Sequence, residues 1–262
     1  MKDNLVSPDA WSHLRQFTRA RISLGRVGGS LPTSEILDFG CAHALARDAV
    51  HTPFEADALA QSLHRAGFAT LSVQSRATDR HTYLLRPDLG RRLSEAGANL
   101  LNDYPDKGFD LLLVVGDGLS SLAVHNHARP LLEAMREFAP PEWRIGPVVL
   151  VTQARVAISD DIGAALKARV VAMLVGERPG LSSPDSLGVY LTYEPRPGRQ
   201  DGERNCISNV RPEGLGYRDA ARKAVWLAAE AMRLGLSGVG LKDESDMALI
   251  REASPPGRLP AA

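Results

Sequence analysis

Four apolar runs in the second half of the chain have the length of buried β-strands. They occupy residues 109–115, 147–151, 170–175 and 188–193. Near-continuous apolar runs are typical of strands that are covered on both faces. Helical periodicity separates these runs, and a late helix is predicted to end near Gly235. Strands that alternate with helices predict an open, mostly parallel, Rossmann-like α/β sheet.

The first hundred residues have a different pattern, in which helical spacing predominates. Leu37 and Cys41 recur at the spacing of one helix face, and a second helix is predicted to stop at Gly67. Short apolar runs at 69–73 and 83–85 flank turn-prone residues. This arrangement predicts a small β element, in which the two runs pair, within an otherwise helical region.

The change of pattern falls at the sequence Tyr-Pro-Asp-Lys-Gly, residues 104–108. We therefore predict three parts: a mainly helical N-terminal domain at residues 1–105, a Rossmann-like α/β domain at 106–250, and a flexible, proline-rich tail at 251–262. Two domains agree with the usual size of a folding unit.

Composition narrows the range of partners. Lys plus Arg and Asp plus Glu each number 31, so the formal net charge is zero. This balance argues against nucleic acid and against an anionic membrane surface. The start of the chain lacks the apolar run of a secretory signal, and no stretch approaches the roughly 20 apolar residues of a membrane span. Cys41 and Cys206 belong to no Cys-x-x-Cys pair, so both are interpreted as reduced thiols in a cytoplasmic protein.

Each predicted strand ends in a distinctive loop. The loops lie at residues 116–121, 152–156 and 176–183. Ligands of open α/β sheets collect beyond the carboxyl ends of the strands. The three loops are therefore predicted to build one pocket.

Two loop sequences allow either a chemical or a structural interpretation. Asp117 lies between two glycines, which places a carboxylate at a strand end, but Gly-Asp-Gly is also a good turn. Ser120 is a good helix N-cap, and the Gly-x-Ser-x-Gly elbow of a serine hydrolase is absent. For Ser159, Asp160 and Asp161, helix capping is favoured over paired acid and base catalysis.

Histidine spacing gives little support for a metal site. His125 and His127 are two residues apart, and His43 and His51 form the other cluster. A metal centre would need third and fourth ligands at usable spacing. All four are therefore interpreted as surface or core histidines, and no metal is predicted.

Three further side chains keep two interpretations each. Cys206 has no histidine at a recognisable spacing, so a nucleophile is rejected, but a packed thiol beside a ligand stays open. Glu177 and Arg178 follow the third strand. They can pair with each other in a solvated turn or face the amides of a ligand.

Seven motifs, in order between about residues 11 and 245, carry a resemblance to a known family. They are FTRARISLGR at 17–26, YLLRPDLGRRL at 83–93, DGLS at 117–120, ARV at 154–156, DIG at 161–163, VGERPGL at 175–181 and RNCISN at 204–209. Together they resemble the small subunit of ethanolamine ammonia-lyase. Because seven motifs recur in register, the resemblance is far more specific than any one of them.

The resemblance implies an enzyme that converts ethanolamine to acetaldehyde and ammonia by a radical route. The reaction starts with homolysis of the cobalt–carbon bond of adenosylcobalamin, so the cofactor performs the hard chemistry. In this family a separate large subunit, a β/α barrel, carries the substrate pocket, and the small subunit covers the cofactor at the interface. The resemblance therefore implies a large-subunit partner and no catalytic residue in this chain.

The cofactor contacts of the family fall on three residues of this sequence. They imply apolar contact from Val156, polar contact to the peripheral amides from Glu177, and close packing from Cys206. A near match to the histidine-ligand motif of other cobalamin proteins, Asp-x-His-x-x-Gly, contains His81 but lacks the glycine. His81 is therefore not expected to bind cobalt.

Location and function keep alternatives. The short lead-in lacks the longer extension that some relatives carry for microcompartment targeting, which argues against encapsulation and favours the cytoplasm. A self-sufficient α/β enzyme that uses a nucleotide or a phosphate ester is one other function, although no Gly-x-Gly-x-x-Gly or Walker loop supports it. A purely structural subunit that never touches the cofactor is the third.

Overall fold

A six-stranded sheet forms the centre of the computed structural model, which describes residues 5–247. The strands run in the spatial order β1-β3-β2-β4-β5-β6. Their bounds are β1 Thr70–Gln74, β2 Leu111–Gly116, β3 Val148–Thr152, β4 Val170–Gly176, β5 Leu187–Tyr193 and β6 Arg204–Val210. The first four in this order are mutually parallel, whereas β5 and β6 are each antiparallel to their neighbour.

The predicted α/β class is therefore confirmed, with a mixed sheet. β1 comes from the first hundred residues, yet it pairs with β3 from Thr70 opposite Val148 to Gln74 opposite Thr152. The domain division at residue 105 and the Rossmann-like assignment stay predictions. The predicted tail at 251–262 lies outside the described residues.

Seven complete α-helices lie within the described part of the chain, which ends in further helical residues at 245–247. The seven are α1 Thr33–His51, α2 Ala56–Arg65, α3 Arg80–Leu85, α4 Glu95–Asp103, α5 Ser121–Phe138, α6 Ile158–Ala165 and α7 Tyr217–Leu234. Gly235 follows α7 with a left-handed φ of 72°, as the predicted end of the late helix requires.

Two apolar clusters divide the core between the faces of the sheet. Leu113 faces a cluster built with α2, α5 and α7, whereas Leu112 faces a second one built with α4 and α6. Every residue of β2 is buried. This burial on both faces explains why the strand sequence is continuously apolar.

Of the β element predicted in the first hundred residues, the strand at 69–73 is confirmed, but its pairing with residues 83–85 is wrong. The run at 69–73 contributes β1 to the main sheet, and the run at 83–85 is helical, within α3. The Asp79 carboxylate accepts a 2.8 Å hydrogen bond from the backbone N–H of Thr82, so it caps a helix where a turn was expected.

The residues that precede α2 are far less buried than the sheet and the helices that cover it. We call residues 5–51 the N-terminal segment: it comprises an irregular arm, with a 3₁₀ turn at Ser12–Gln16, and α1. Of the 19 residues of α1, only Ala49 is buried.

Within residues 5–247 no single helix is both long enough and apolar enough to cross a membrane. One bent pair, Tyr217–Leu234 with Gly238–Met247 at 90°, meets the criteria jointly, by length and composition only.

Candidate functional site at the strand ends

A crevice of about 430 Å³ opens where the carboxyl ends of β2, β3 and β4 meet. Its volume suits a small-molecule site or part of a larger one. The three loops that the sequence predicted to share a pocket all contribute to it, and α3 and β5 add further side chains. The lining includes Tyr83, Leu119, Arg155, Val156, Glu177 and Tyr190.

Asp117 joins the loops behind this crevice. Its carboxylate accepts hydrogen bonds from the backbone N–H groups of Ala154 at 2.8 Å and Gln153 at 3.1 Å, and it lies 3.3 Å from the Arg80 guanidinium. The side chain is buried, and burial raises the pKa of its carboxyl against the opposing effect of these donors. Asp117 thus holds the β2 and β3 loops together and presents no free carboxylate to a ligand.

Gly118 lets the β2 and β4 loops approach each other. Its φ is +58°, and a Cβ at this position would lie 2.2 Å from the carbonyl oxygen of Gly176. The neighbouring Leu119 N–H donates to that same oxygen at 2.9 Å. Only glycine satisfies both demands, so the Gly-Asp-Gly sequence is required by backbone geometry.

Ser120 is the N-cap that the sequence predicts. Its hydroxyl oxygen accepts from the backbone N–H of Ala123 at 3.3 Å, which caps α5. The same hydroxyl donates to the carbonyl oxygen of Pro184 at 2.8 Å. Ser120 therefore fixes the loop between β4 and β5 as well as its own helix.

Two arginines stack on a tyrosine at one side of the crevice, where Tyr83 and Arg155 line it and Arg80 lies behind them. Tyr83 is fully buried, with the guanidinium carbons of Arg80 and Arg155 at 4.7 and 4.2 Å from its ring centroid. Its hydroxyl donates to the carbonyl oxygen of Ala154 at 3.0 Å, and burial raises its pKa. Arg80 also donates to the carbonyl oxygen of Val50 at 2.7 Å, which ties the end of α1 to the site.

Sequence reasoning missed Arg80 and Tyr83. Their spacing of three residues on one helix face was the available signal, because i and i+3 side chains on a helix are neighbours. The signal was hidden because α3 was predicted to be part of a β element.

Glu177 is held by donors from two later segments. Its carboxylate accepts from the hydroxyl of Ser186, from the hydroxyl of Ser208 at 2.6 Å, and from the backbone N–H of Asn209 at 3.3 Å. A side chain at position 188 would meet the Glu177 carboxylate at 2.9 Å, so Gly188 makes room for it. The side chain of Glu177 is thus positioned by the strands β5 and β6, rather than by pairing with Arg178.

Val156 and Cys206 occupy different places relative to the crevice. Val156 lines it and also packs against the apolar cluster beneath α4 and α6. Cys206 is exposed on β6, directly opposite Tyr190 on β5, whose ring lines the crevice. Although part of the residue is exposed, desolvation of the thiol by its neighbours, together with the nearby Glu177 carboxylate, raises the pKa of Cys206, so the thiol stays protonated at neutral pH. The structure thus brings Val156 and Glu177 into one crevice and places Cys206 at its edge.

The capping interpretation of Ser159, Asp160 and Asp161 is confirmed in part: both Asp residues lie in the first turn of α6, as predicted, but Ser159 does not cap the helix, whose N-cap is Ala157. The Asp160 carboxylate makes a bidentate ion pair with Arg204, both bonds measuring 2.7 Å, and both side chains are buried. Asp161 accepts from Arg92 at 2.9 Å, and the Ser159 hydroxyl donates to a backbone carbonyl three residues earlier. Asp160 and Asp161 therefore bind distant partners rather than the orphan amides of their own helix, because charged donors form stronger hydrogen bonds than amides do.

The Asp160–Arg204 pair lies outside the crevice but joins two segments that are close to it. Arg204 begins β6 two residues before Cys206, and α6 follows the loop that carries Val156. The guanidinium donates to the Thr192 hydroxyl at 2.8 Å as well. This pair therefore fixes the separation between the segments that carry Val156 and Cys206.

The surroundings of two histidines, His127 and His81, indicate no metal ligation. His127 is buried, with one ring nitrogen 2.9 Å from the Tyr217 hydroxyl and the other 3.3 Å from Asp185. His81 is exposed in the first turn of α3. Within the described part of the chain, no three His, Cys, Asp or Glu side chains are grouped closely enough to hold a metal ion.

The fold and the crevice define an α/β protein with a crevice of small-molecule size at the ends of its parallel strands. Comparison with known proteins narrows this class. The family model Ethanolamine ammonia-lyase light chain (EutC) matches residues 8–242. The chain belongs to this family, as the seven motifs predicted.

Curated relatives in this family are similar to the chain over nearly its whole length. The ethanolamine ammonia-lyase small subunit of Pseudomonas fluorescens Pf-5 is 55% identical over 245 residues, which cover 92% of this chain and 89% of the relative. The small subunit of Azotobacter vinelandii is 56% identical, with 96% and 95% coverage. That of Ralstonia nicotianae is 54% identical, with 94% and 92% coverage.

Proposed function

We propose that this chain is the cofactor-contacting small subunit of an adenosylcobalamin-dependent ethanolamine ammonia-lyase of the cytoplasm. In this role its strand-end crevice binds one side of the cofactor where a separate large subunit meets it. One observation carries the proposal: Val156 and Glu177 line a single crevice, and Cys206 lies beside Tyr190 at its edge.

The residues of the crevice fit the chemistry of a corrin. When bound, adenosylcobalamin supplies a cobalt–carbon bond whose homolysis starts radical chemistry. Its macrocycle is flat and apolar, with amide groups around the rim. Leu119, Val156 and Val175 offer an apolar surface of the kind that such a face needs.

Glu177 is suited to the amide rim. A carboxylate accepts about four hydrogen bonds, and three are already made within the chain by Ser186, Ser208 and Asn209. The remaining acceptor position suits an amide N–H. Because three donors fix the side chain in advance, binding would cost little conformational entropy.

The other polar groups near the crevice are suited to binding a ligand and not to transferring protons. Asp117 is buried and its oxygens are occupied by backbone donors and Arg80. Cys206 keeps its proton at neutral pH, which removes a thiolate nucleophile. We therefore assign substrate binding and acid–base chemistry mainly to the large subunit.

The first test measures ethanolamine-dependent ammonia release by this chain, by the large subunit, and by both together, each with and without adenosylcobalamin. Activity from the pair with cofactor, and from neither chain alone, is the expected result. Activity from this chain alone would contradict the proposal and return attention to a self-sufficient enzyme.

A second measurement tests the crevice itself. Glu177→Gln and Val156→Ala should each weaken cobalamin binding by the pair about tenfold, the cost of one hydrogen bond to a charged group or one apolar contact. Glu133→Gln makes the same change on the exposed surface of α5 and should leave the affinity unaltered. Affinity is read from the absorbance of the cofactor, and assembly from size-exclusion chromatography. Unchanged affinity with weakened assembly would instead favour a purely structural subunit.

A further inference from the structure

Large apolar side chains are exposed along the N-terminal segment. Six of them, each between 47% and 78% exposed, lie on its arm and on α1: Trp11, Phe17, Ile36, Leu37, Phe39 and Leu45. Single exposed apolar residues are ordinary, but a concentration of them in one segment marks an interaction surface.

The sequence of α1 itself calls for burial. Between Ile36 and Ala46 the only polar side chains are Asp38 and His43, so apolar residues face outward in most directions. A helix that is apolar nearly all round is normally covered on more than one side. In this chain α1 buries Ala49 alone.

The arm and α1 form one surface. Arg15 on the arm binds Glu35 on α1 at 2.8 Å, and the Arg21 guanidinium lies 5.6 Å from the centre of the Phe39 ring. The six exposed side chains, distributed along the arm and around α1, present on the order of 700 Å² together. A standard protein interface buries about 800 Å² of each partner, so the area suits a stable interface.

Two features indicate the occupant. The arm, residues 5–32, carries four arginines and one aspartate, and among the described residues Arg15 alone of the four is in an ion pair, with Glu35 of α1; the remaining positive charge disfavours close self-pairing of two arms and suits a partner with acidic groups. The end of α1 is also continuous with the strand-end crevice, because Arg80 links the Val50 carbonyl to Asp117 and Gly118.

We infer that the N-terminal segment is a docking surface for the large subunit of ethanolamine ammonia-lyase, with α1 seated in an apolar groove of that partner. This inference rests on the proposed function, which supplies the partner. It adds the particular surface, and it makes the arm and α1 continuous with the cofactor crevice.

The test is a double substitution on the exposed face of α1, Leu37→Glu with Leu45→Glu, in the full chain. Both leucines are more than half exposed, so the circular dichroism spectrum and melting temperature of the isolated chain should stay unchanged. Binding to the tagged large subunit should weaken by about 100-fold or more. Val239→Glu places the same charge on an apolar residue that is 89% exposed outside the N-terminal segment, and it should bind as the unaltered chain does.

Three other outcomes would overturn the inference. Full assembly of the doubly charged variant, with ammonia release intact, would remove α1 from the interface while leaving the proposed function in place. Dimerisation of the unaltered small chain that the double substitution abolishes, with large-subunit binding retained, would assign the surface to a second copy. If the unaltered pair neither assembles nor releases ammonia, the proposed function fails first.

Discussion

Strand β2 and helix α1 are both rich in apolar residues, but the chain treats them in opposite ways. Leu113 on β2 is fully buried between helices and neighbouring strands, whereas Leu37 on α1 is 67% exposed. The residue type is the same, so hydrophobicity alone does not decide burial. What differs is whether the chain itself supplies a covering layer.

The free energy gained by burying apolar side chains can therefore stabilise either the fold or a complex. Burying a leucine stabilises a protein by about 1.5–3 kcal/mol. Around β2 that free energy is gained when the chain folds. Along α1 it remains largely ungained, and it is available to stabilise a complex.

Breaking the Asp160–Arg204 pair should have the largest effect on the sheet region. Asp160→Asn leaves the Arg204 guanidinium buried without its counter-charge, which should reduce the free energy of unfolding by about 3–5 kcal/mol. Urea denaturation measures this loss. Asp88→Asn breaks an exposed pair with Arg86 and serves as the control with no measurable change expected. Equal behaviour of the two variants would contradict an internal role for Asp160.

A pair of matched leucine truncations tests the comparison directly. Leu113→Ala should lower the free energy of unfolding by about 3 kcal/mol, because it leaves a cavity in a closed core. Leu37→Ala in the isolated chain should change it by less than about 0.5 kcal/mol. Both values come from urea unfolding of the small chain alone. A large loss at Leu37 would mean that α1 is already covered within the isolated chain.

A smaller, pH-dependent effect is expected at α3, which links the two regions. The N–H and hydroxyl of Thr82 lower the pKa of the Asp79 carboxyl to about 2, from an ordinary value of 3.8. The fold thus favours the ionised cap: its contribution is complete above about pH 4 and is lost as the pH falls towards 2.

Hydrogen exchange of the α3 amides between pH 5 and pH 2 measures this dependence. Protection should fall across that range in the unaltered chain, and Asp79→Ala should lower it at every pH. Asp79→Asn keeps a capping oxygen without the charge, so its protection should show a weaker dependence on pH. Identical pH profiles for the unaltered chain and the Asn variant would contradict a role for the charge.

Much of the sheet was predictable because its strands are buried on both faces. Continuous apolar runs gave β2, β3, β4 and β5, and the strand-end rule brought their loops to one edge. The rule also placed Val156 and Glu177 together. Cys206 could not be located in the same way, because its place depends on the antiparallel register that sets it opposite Tyr190.

The remaining differences come from tertiary partners that local patterns do not show. The local sequence around Asp160 is typical of a helix start. It does not show that the Asp160 carboxylate is bound by Arg204, 44 residues later in the chain. Asp79 was predicted to be a turn residue because the sequence around it does not show what stabilises α3. That stabilisation comes from the burial of Tyr83, which depends on contacts with Ala154 and Arg155. Long-range contacts of this kind override local propensity.

The hydrogen bond from Arg80 to the Val50 carbonyl has a thermodynamic consequence. The same guanidinium reaches Asp117 and Gly118, so one side chain is shared by the end of α1 and the loops around the crevice. If a partner on α1 shifts Arg80, the affinity of the crevice for its ligand changes, and occupancy of the crevice must then change the affinity for the partner by the same factor. Assembly with the partner and ligand binding in the crevice would then be coupled equilibria. Arg80 would be the residue that carries the coupling free energy between them.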